Sequence, residues 1–173
     1  MSVSPTASDQ TYFRRALGRF PTGVAIVCAQ LPGQAPVGLT ISSFNSVSLT
    51  PPLVLWSLSN TSSLLDVFLQ CERYVIQILR ADQPELAGRF AYGDMAGRFA
   101  DLPADRAPGG TFMPAIDSAA WFECRNRSRY PEGDHLILVG EVEHCGHNES
   151  LPLVYHAGGF DLTPAIPAAT SER

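Results

Sequence analysis

Two clusters of hydroxyl side chains, two Arg-Phe pairs and one His beside an Asp are the residues of this chain whose types and spacing could do chemistry. The run Gly38-Leu-Thr-Ile-Ser-Ser-Phe-Asn-Ser-Val-Ser48 holds five hydroxyls, among them Thr40, Ser42 and Ser43, beside the aromatic Phe44. Hydroxyls and backbone N–H groups in an irregular strand can meet the carbonyls and ring nitrogens of a heterocycle without any formal charge, although the same residues also read as a Ser/Thr-rich edge strand. Ser57-Leu-Ser-Asn-Thr-Ser-Ser63 is a second cluster just before a helical pattern. There, Ser57, Ser62 and Ser63 could join the helix N-terminal amides around a phosphate, or simply cap the helix. Arg89-Phe90 and Arg98-Phe99 flank an irregular stretch, and each guanidinium could hold a phosphate or lie on the surface beside a buried ring. Gly133-Asp134-His135 sits where a turn hands over to a strand. A His there can titrate or hydrogen-bond a ligand while the Asp orients it, or it can be a turn residue and no more.

Other chemistries are excluded or disfavoured. There is no G-x-G-x-x-G opening a helix, no H-E-x-x-H and no C-x-x-C pair. All 12 basic residues are Arg, so a P-loop and lysine Schiff-base chemistry are both excluded. His144-Cys145-Gly146-His147 looks metal-like, but strand alternation puts Cys145 and His147 on one face and His144 on the other, and no metal site is expected. The formal net charge of −5 argues against nucleic acid and against an anionic membrane surface. The longest apolar run, Val24 to Ala29, is far short of the roughly 20 residues that cross a bilayer, and the N-terminus lacks the basic-then-apolar pattern of a secretory signal. A cytoplasmic protein is expected, with Cys28, Cys71, Cys124 and Cys145 as buried small hydrophobes.

These residues need a scaffold, and 173 residues suit one domain with a real core. Residues 1–8 and 164–173 read as frayed tails around one body, 9–163. Asp9 to Phe20 gathers Tyr12, Phe13, Ala16, Leu17 and Phe20 on one face of an amphipathic helix that Pro21 ends. Strands are expected over 23–30 and 37–41 around the turn Leu31 to Pro36, then within 42–48 and over 53–58. A helix over 62–70, capped by Ser62 or Ser63, leads to a strand over 74–79, and Asp82 caps a second short helix ending at Ala91. Residues 92–111 read as a loop too irregular to be core. Trp121 to Arg129 and His135 to Cys145 form a hairpin centred on Gly133, and Leu153 to His156 is the last strand. Six or seven hairpin-linked strands with small helices between them favour a closed or nearly closed antiparallel β-barrel over a doubly wound sheet.

Taken together, Phe13-Arg-Arg-Ala-Leu-Gly-Arg-Phe-Pro-Thr-Gly-Val24, Val37 to Pro52, Gly133-Asp-His-Leu-Ile-Leu-Val-Gly-Glu-Val142 and Pro152-Leu-Val-Tyr-His-Ala-Gly-Gly-Phe160 resemble the short-chain NAD(P)H:flavin oxidoreductases. These are the flavin reductase components of two-component flavin-dependent monooxygenases. The resemblance runs from about Phe13 to Leu162. It implies a mainly β (α+β) fold, a split β-barrel with a Greek-key flavin-binding core and short inserted helices, and a homodimer with flavin near the subunit interface. It places Thr40, Ser42, Ser43 and Phe44 along the isoalloxazine and Ser57, Ser62 and Ser63 on the phosphate side. Arg98-Phe99 stands at the family's Lys-Phe near the phosphates. His135 matches the histidine associated with the nicotinamide, with Tyr155 and Gly158 at the same opening. Thr61 replaces a common lysine, and Ile41 a small Ala beside the ring. The implied activity is hydride transfer from NADH or NADPH to FAD or FMN, with reduced flavin released to a partner monooxygenase in aromatic hydroxylation or natural-product (antibiotic) biosynthesis. A non-catalytic flavin- or haem-binding barrel and an enzyme that retains FMN are the competing readings.

Overall fold

In the computed structural model, which describes residues 10–161, the centre of the molecule is a short strand buried along its whole length. Ala25–Ala29 (β2 here) alternates between two cores: Ala25, Val27 and Ala29 face one apolar cluster, while Ile26 and Cys28 face another. A strand covered on both faces needs a continuous apolar run, and Val24 to Ala29 supplies it. Ahead of it lie the helix Gln10–Leu17 (α1) and the two-residue strand Thr22–Gly23 (β1). After it come Val37–Ile41 (β3), Asn45–Leu49 (β4), Pro52–Ser59 (β5), the helix Leu65–Gln70 (α2) and Arg73–Ile78 (β6). Pro84–Tyr92 (α3), Met95–Arg98 (α4), Ala104–Arg106 (β7) and Phe112–Pro114 (β8) follow. Two 13-residue strands, Ala120–Glu132 (β9) and His135–His147 (β10), precede the short pair Val154–His156 (β11) and Gly159–Asp161 (β12).

Seven strands form one antiparallel sheet in the order β3-β2-β6-β9-β10-β5-β4, while β1-β11-β12 and β7-β8 form smaller sheets. The larger core packs Trp56, Phe68 and Tyr74 edge to face with α2; the second core packs Phe90, Phe99 and Phe112 between α3, α4 and the sheet. Rings buried as fully as Trp56 and Phe68 each cost about 3–5 kcal/mol to truncate to Ala.

The structure corrects several expectations. The seven-stranded sheet is open, not a closed barrel: β3 and β4 are its edges, because residues 42–44 leave the ladder between them. Helix α2 starts one residue later than a serine cap would require. Its N-cap is Leu64, with no side-chain bond, and Ser62 Oγ instead accepts from Leu64 N at 3.2 Å. Helix α3 is capped at Gln83 and enters through Pro84, since Asp82 is drawn to Arg80 at 2.7 Å. The 92–111 segment is not all loop: Asp94 accepts from Gly97 N to start α4, and Ala107 and the neighbouring Phe112 are buried. Cys145 is exposed, because it follows the irregularity between Val142 and His144; only Cys28, Cys71 and Cys124 are buried. Asp9, residues 162–163 and both expected tails lie outside the described residues.

Candidate functional site

Strand β5 runs beside both β4 and β10, and the cleft at its end gathers six of the expected residues. Thr40, Ser42, Ser43, Ser57, Ser62 and His135 line a space of about 360 Å³ with Leu39, Ile41, Leu58 and Ser59. Its wall is thus hydroxyls and aliphatic carbons with no carboxylate.

Two of those hydroxyls are engaged in holding the wall together. Thr40 Oγ1 donates to the Ala87 carbonyl of α3 at 2.7 Å. Ser43 Oγ accepts from Ser57 N at 3.0 Å and donates to Ser57 O at 3.3 Å. A side chain therefore replaces a backbone partner just where the β4–β5 ladder ends at Asn45 and Leu55. The amides of Ser43 and Phe44 make no backbone–backbone hydrogen bond among the described residues, so this departure from the sheet leaves donors for a ligand's carbonyls.

His135 opens β10 opposite Ser59. Its Nδ1 lies 2.7 Å from Asp134 Oδ1, an arrangement in which Nδ1–H donates and Nε2 is left for a ligand. The bond from His135 holds the Asp134 carboxyl below its usual range, with a smaller contribution from the charge of Arg14. Gly133 has φ +58°, a conformation in which a side chain is strained, and so lets the tight turn place Asp134 and His135 side by side. The turn is clamped from β5: Asn60 N donates to Asp134 O at 3.0 Å and Asn60 Nδ2 to Gly133 O at 3.3 Å.

A larger cleft, about 990 Å³, shares Ser42 and Ser43 with the first and extends under α1 to Tyr155 and Gly158. Arg14, Arg15 and Arg19 line it. Gly18 O accepts from Ala157 N at 2.9 Å, which ties the end of α1 to the β11–β12 turn.

Four expected residues line neither cleft. Phe44 stacks on Phe122 at 5.3 Å, and Ser63 is exposed on the turn before α2. Arg98 donates from Nε to Gly93 O at 2.9 Å and from Nη1 to Gly38 O at 2.6 Å, tying α4 to the edge strand β3, and partial burial lowers its pKa. Phe99 packs against Phe90 and Phe112 at 5.1 and 5.8 Å. Sequence reasoning missed Asn60, whose partner is 73 residues away and leaves no local pattern. It also assigned no role to Arg14, Arg15 and Arg19, which line the larger cleft. A third cleft of about 540 Å³ holds none of the expected residues, and its Arg73 and Arg106 are already bound to Glu143 and Gly110 O.

Comparison with known proteins fits this geometry. The chain is 41% identical over 157 residues to the FMN reductase (NADH) SmoA of Agrobacterium fabrum, covering 90% of this chain and 87% of that one. It is 41% identical to the actinorhodin polyketide dimerase of Streptomyces coelicolor, covering 95% of this chain and 94% of that one. The solved structure of the Streptomyces globisporus NADH:FAD oxidoreductase SgcE6 in complex with NAD and FAD fragments superposes with a TM-score of 0.85 at 29% identity, over 97% of this chain and 99% of that one. Residues 17–163, nearly the whole of the chain that carries the two adjoining clefts, match the flavin reductase like domain, and the protein belongs to that family.

Proposed function

We propose that this protein is an NADH-dependent flavin reductase that passes hydride to FAD or FMN and releases the reduced flavin to a partner monooxygenase. The observation that carries this reading is the 360 Å³ cleft, which Ser42, Ser57 and Ser62 line together with His135 and no carboxylate. That donor set suits a flavin ring, whose carbonyls and ring nitrogens need hydrogen bonds and no counter-ion. The volume lies within the range of small-molecule sites. The flavin supplies the electron acceptor of the reaction, and the nicotinamide supplies the hydride.

The chain's own residues position and shield. Thr40 and Ser43, engaged with Ala87 and Ser57, fix the wall of the cleft. The Ser43 and Phe44 amides are donors for the negative charge that collects on a reduced ring, as in an oxyanion hole. Asp134 holds His135 so that Nε2 hydrogen-bonds the nicotinamide, with Tyr155 and Gly158 at the adjoining opening. No acid, base or nucleophile is needed for the transfer itself, so orientation supplies most of the rate. An open, shallow cleft suits a flavin that must leave.

A relative supports the partner: it is the reductase component of a flavin-dependent trigonelline monooxygenase of Acinetobacter baylyi, although this chain spans only 52% of its length. SgcE6 is described with NAD and FAD, and SmoA with NADH and FMN. We further read the open sheet as half of a split barrel completed in a homodimer, working in the cytoplasm. No helix among the described residues is long and apolar enough to cross a membrane. The test is to mix purified protein with NADH and free FAD or FMN and follow loss of the nicotinamide absorbance. Turnover that requires added flavin is expected; flavin retained through gel filtration without turnover would instead assign a carrier.

A further inference from the structure

The 11 arginines among the described residues divide into two groups. Arg73, Arg80, Arg125 and Arg127 pair with carboxylates, and Arg89, Arg98, Arg106 and Arg129 donate to backbone carbonyls. The guanidinium groups of the other three, Arg14, Arg15 and Arg19, make no hydrogen bond or ion pair among the described residues, and all three residues line the 990 Å³ cleft. In a chain of net charge −5, three unpaired guanidiniums around one concavity are a site for an anion.

The neighbours of the cleft narrow the choice of anion. Ser42 and Ser43 belong to both clefts, and Arg14 acts on Asp134, which holds His135. A ligand on the arginines can thus be continuous with one whose ring meets His135. The Ser57 and Ser62 hydroxyls line only the smaller cleft, which leaves the larger one to the second substrate.

We infer that Arg14, Arg15 and Arg19 bind the phosphate groups of the nicotinamide dinucleotide, while its nicotinamide end lies beside His135. The guanidinium fork matches phosphate oxygens in pairs, as an ammonium cannot. This assignment rests on the reductase reading above and adds to it where the dinucleotide's charged part is held.

Riboflavin as hydride acceptor isolates the inference, because it carries no phosphate. The triple variant R14Q/R15Q/R19Q alters side chains that are all exposed. With riboflavin it is expected to raise the KM for NADH at least tenfold while the KM for riboflavin changes less than twofold. Inorganic pyrophosphate is expected to compete with NADH in the wild-type protein, and at least tenfold more weakly in the variant. R14K/R15K/R19K, which keeps the charge, is expected to recover part of the lost affinity, so that a helix damaged by three substitutions is told apart from a lost phosphate site. An unchanged KM for NADH, or a rise confined to the KM for FAD when FAD replaces riboflavin, overturns the inference and leaves the reductase reading standing. A wild-type protein that oxidises no NADH with any flavin overturns both.

Discussion

Asp134 decides which nitrogen of His135 faces the cleft, and that pairing makes His135 testable apart from the flavin site. Replacing His135 with Ala is expected to lower NADH turnover by about tenfold to a hundredfold through lost orientation, with flavin affinity within twofold. Steady-state kinetics beside a flavin titration separates the two, and unchanged kinetics removes the residue from the mechanism. A second His–carboxylate pair is structural. Glu123 is wholly buried on β9 and accepts from Gly109 N at 2.8 Å, Thr111 N at 3.1 Å and His144 Nδ1 at 2.8 Å. Burial pushes its carboxyl up, but the bonds from Thr111, Gly109 and His144 outweigh that and hold it below its ordinary value of 4.5. A depressed carboxyl contributes stability above its unfolded value and loses it as pH falls through the folded one. Glu123→Gln turns an NH2 group toward one of the two backbone amides, since Gly109 N and Thr111 N donate to different carboxylate oxygens, and is expected to cost about 2–3 kcal/mol at neutral pH. Denaturant titrations should show that difference shrinking below about pH 4, and a pH-independent difference would mean the charge is not what matters. At this scale the sequence was legible by type only. Thr40, Ser43 and Arg98 are polar residues near a site, as their motifs suggest, but each directs a hydrogen bond to a backbone atom 14 to 60 residues away.

Elements were legible where a local signal and the tertiary packing agree. Pro131-Glu-Gly-Asp134 marks the β9–β10 turn between the alternating run Trp121 to Arg129 and the apolar run that starts at Leu136, so this hairpin could be read directly. The capping residues of α2 and α3 could not, because Ser62 and Asp82 found other partners within two residues. Helix α4 and the β7–β8 pair, four and three residues long, are too short to stand without the second core and leave no periodicity to detect. The long hairpin also contains a constraint that pattern reading misses. Gly140 sits at a register shift, and a Cβ there would overlap the Tyr74 hydroxyl and lie 2.9 Å from Cys124 Cβ. Both neighbours belong to the buried core, so neither can move aside cheaply. Gly140→Ala is therefore expected to destabilise the protein by about 1–3 kcal/mol, read as a lower denaturation midpoint with an unchanged slope.

At the scale of the whole molecule, helix α1 and the turn after it lie on the surface and leave apolar side chains in solvent. Arg14, Arg15 and Arg19 line the cleft together with Leu17 and Phe20, while Phe13, Leu17 and Phe20 are 45, 57 and 75% exposed and no residue of α1 is buried. The sequence showed an amphipathic pattern, but the helix ends at Leu17, short of the expected Phe20, and pattern alone does not say which side meets the protein. Leu49, on the edge strand β4, is 92% exposed, so apolar surface and an open sheet edge are both presented to solvent. A monomer rarely keeps such surface bare, and a second copy of this chain is the occupant that the homodimer reading supplies. The substitutions F13S, L17Q and F20S together remove the exposed apolar side chains and keep the arginines, although Leu17 and Phe20 also line the cleft. Sedimentation velocity at micromolar concentration is expected to show a dimer for the wild-type chain and a monomer for the triple variant. The far-ultraviolet circular dichroism of the sheet should be kept in both, since none of the three side chains enters either core. A wild-type chain that sediments as a monomer would leave α1 to some other partner and end the homodimer reading. A variant that stays dimeric would move the interface to the open edge at β4.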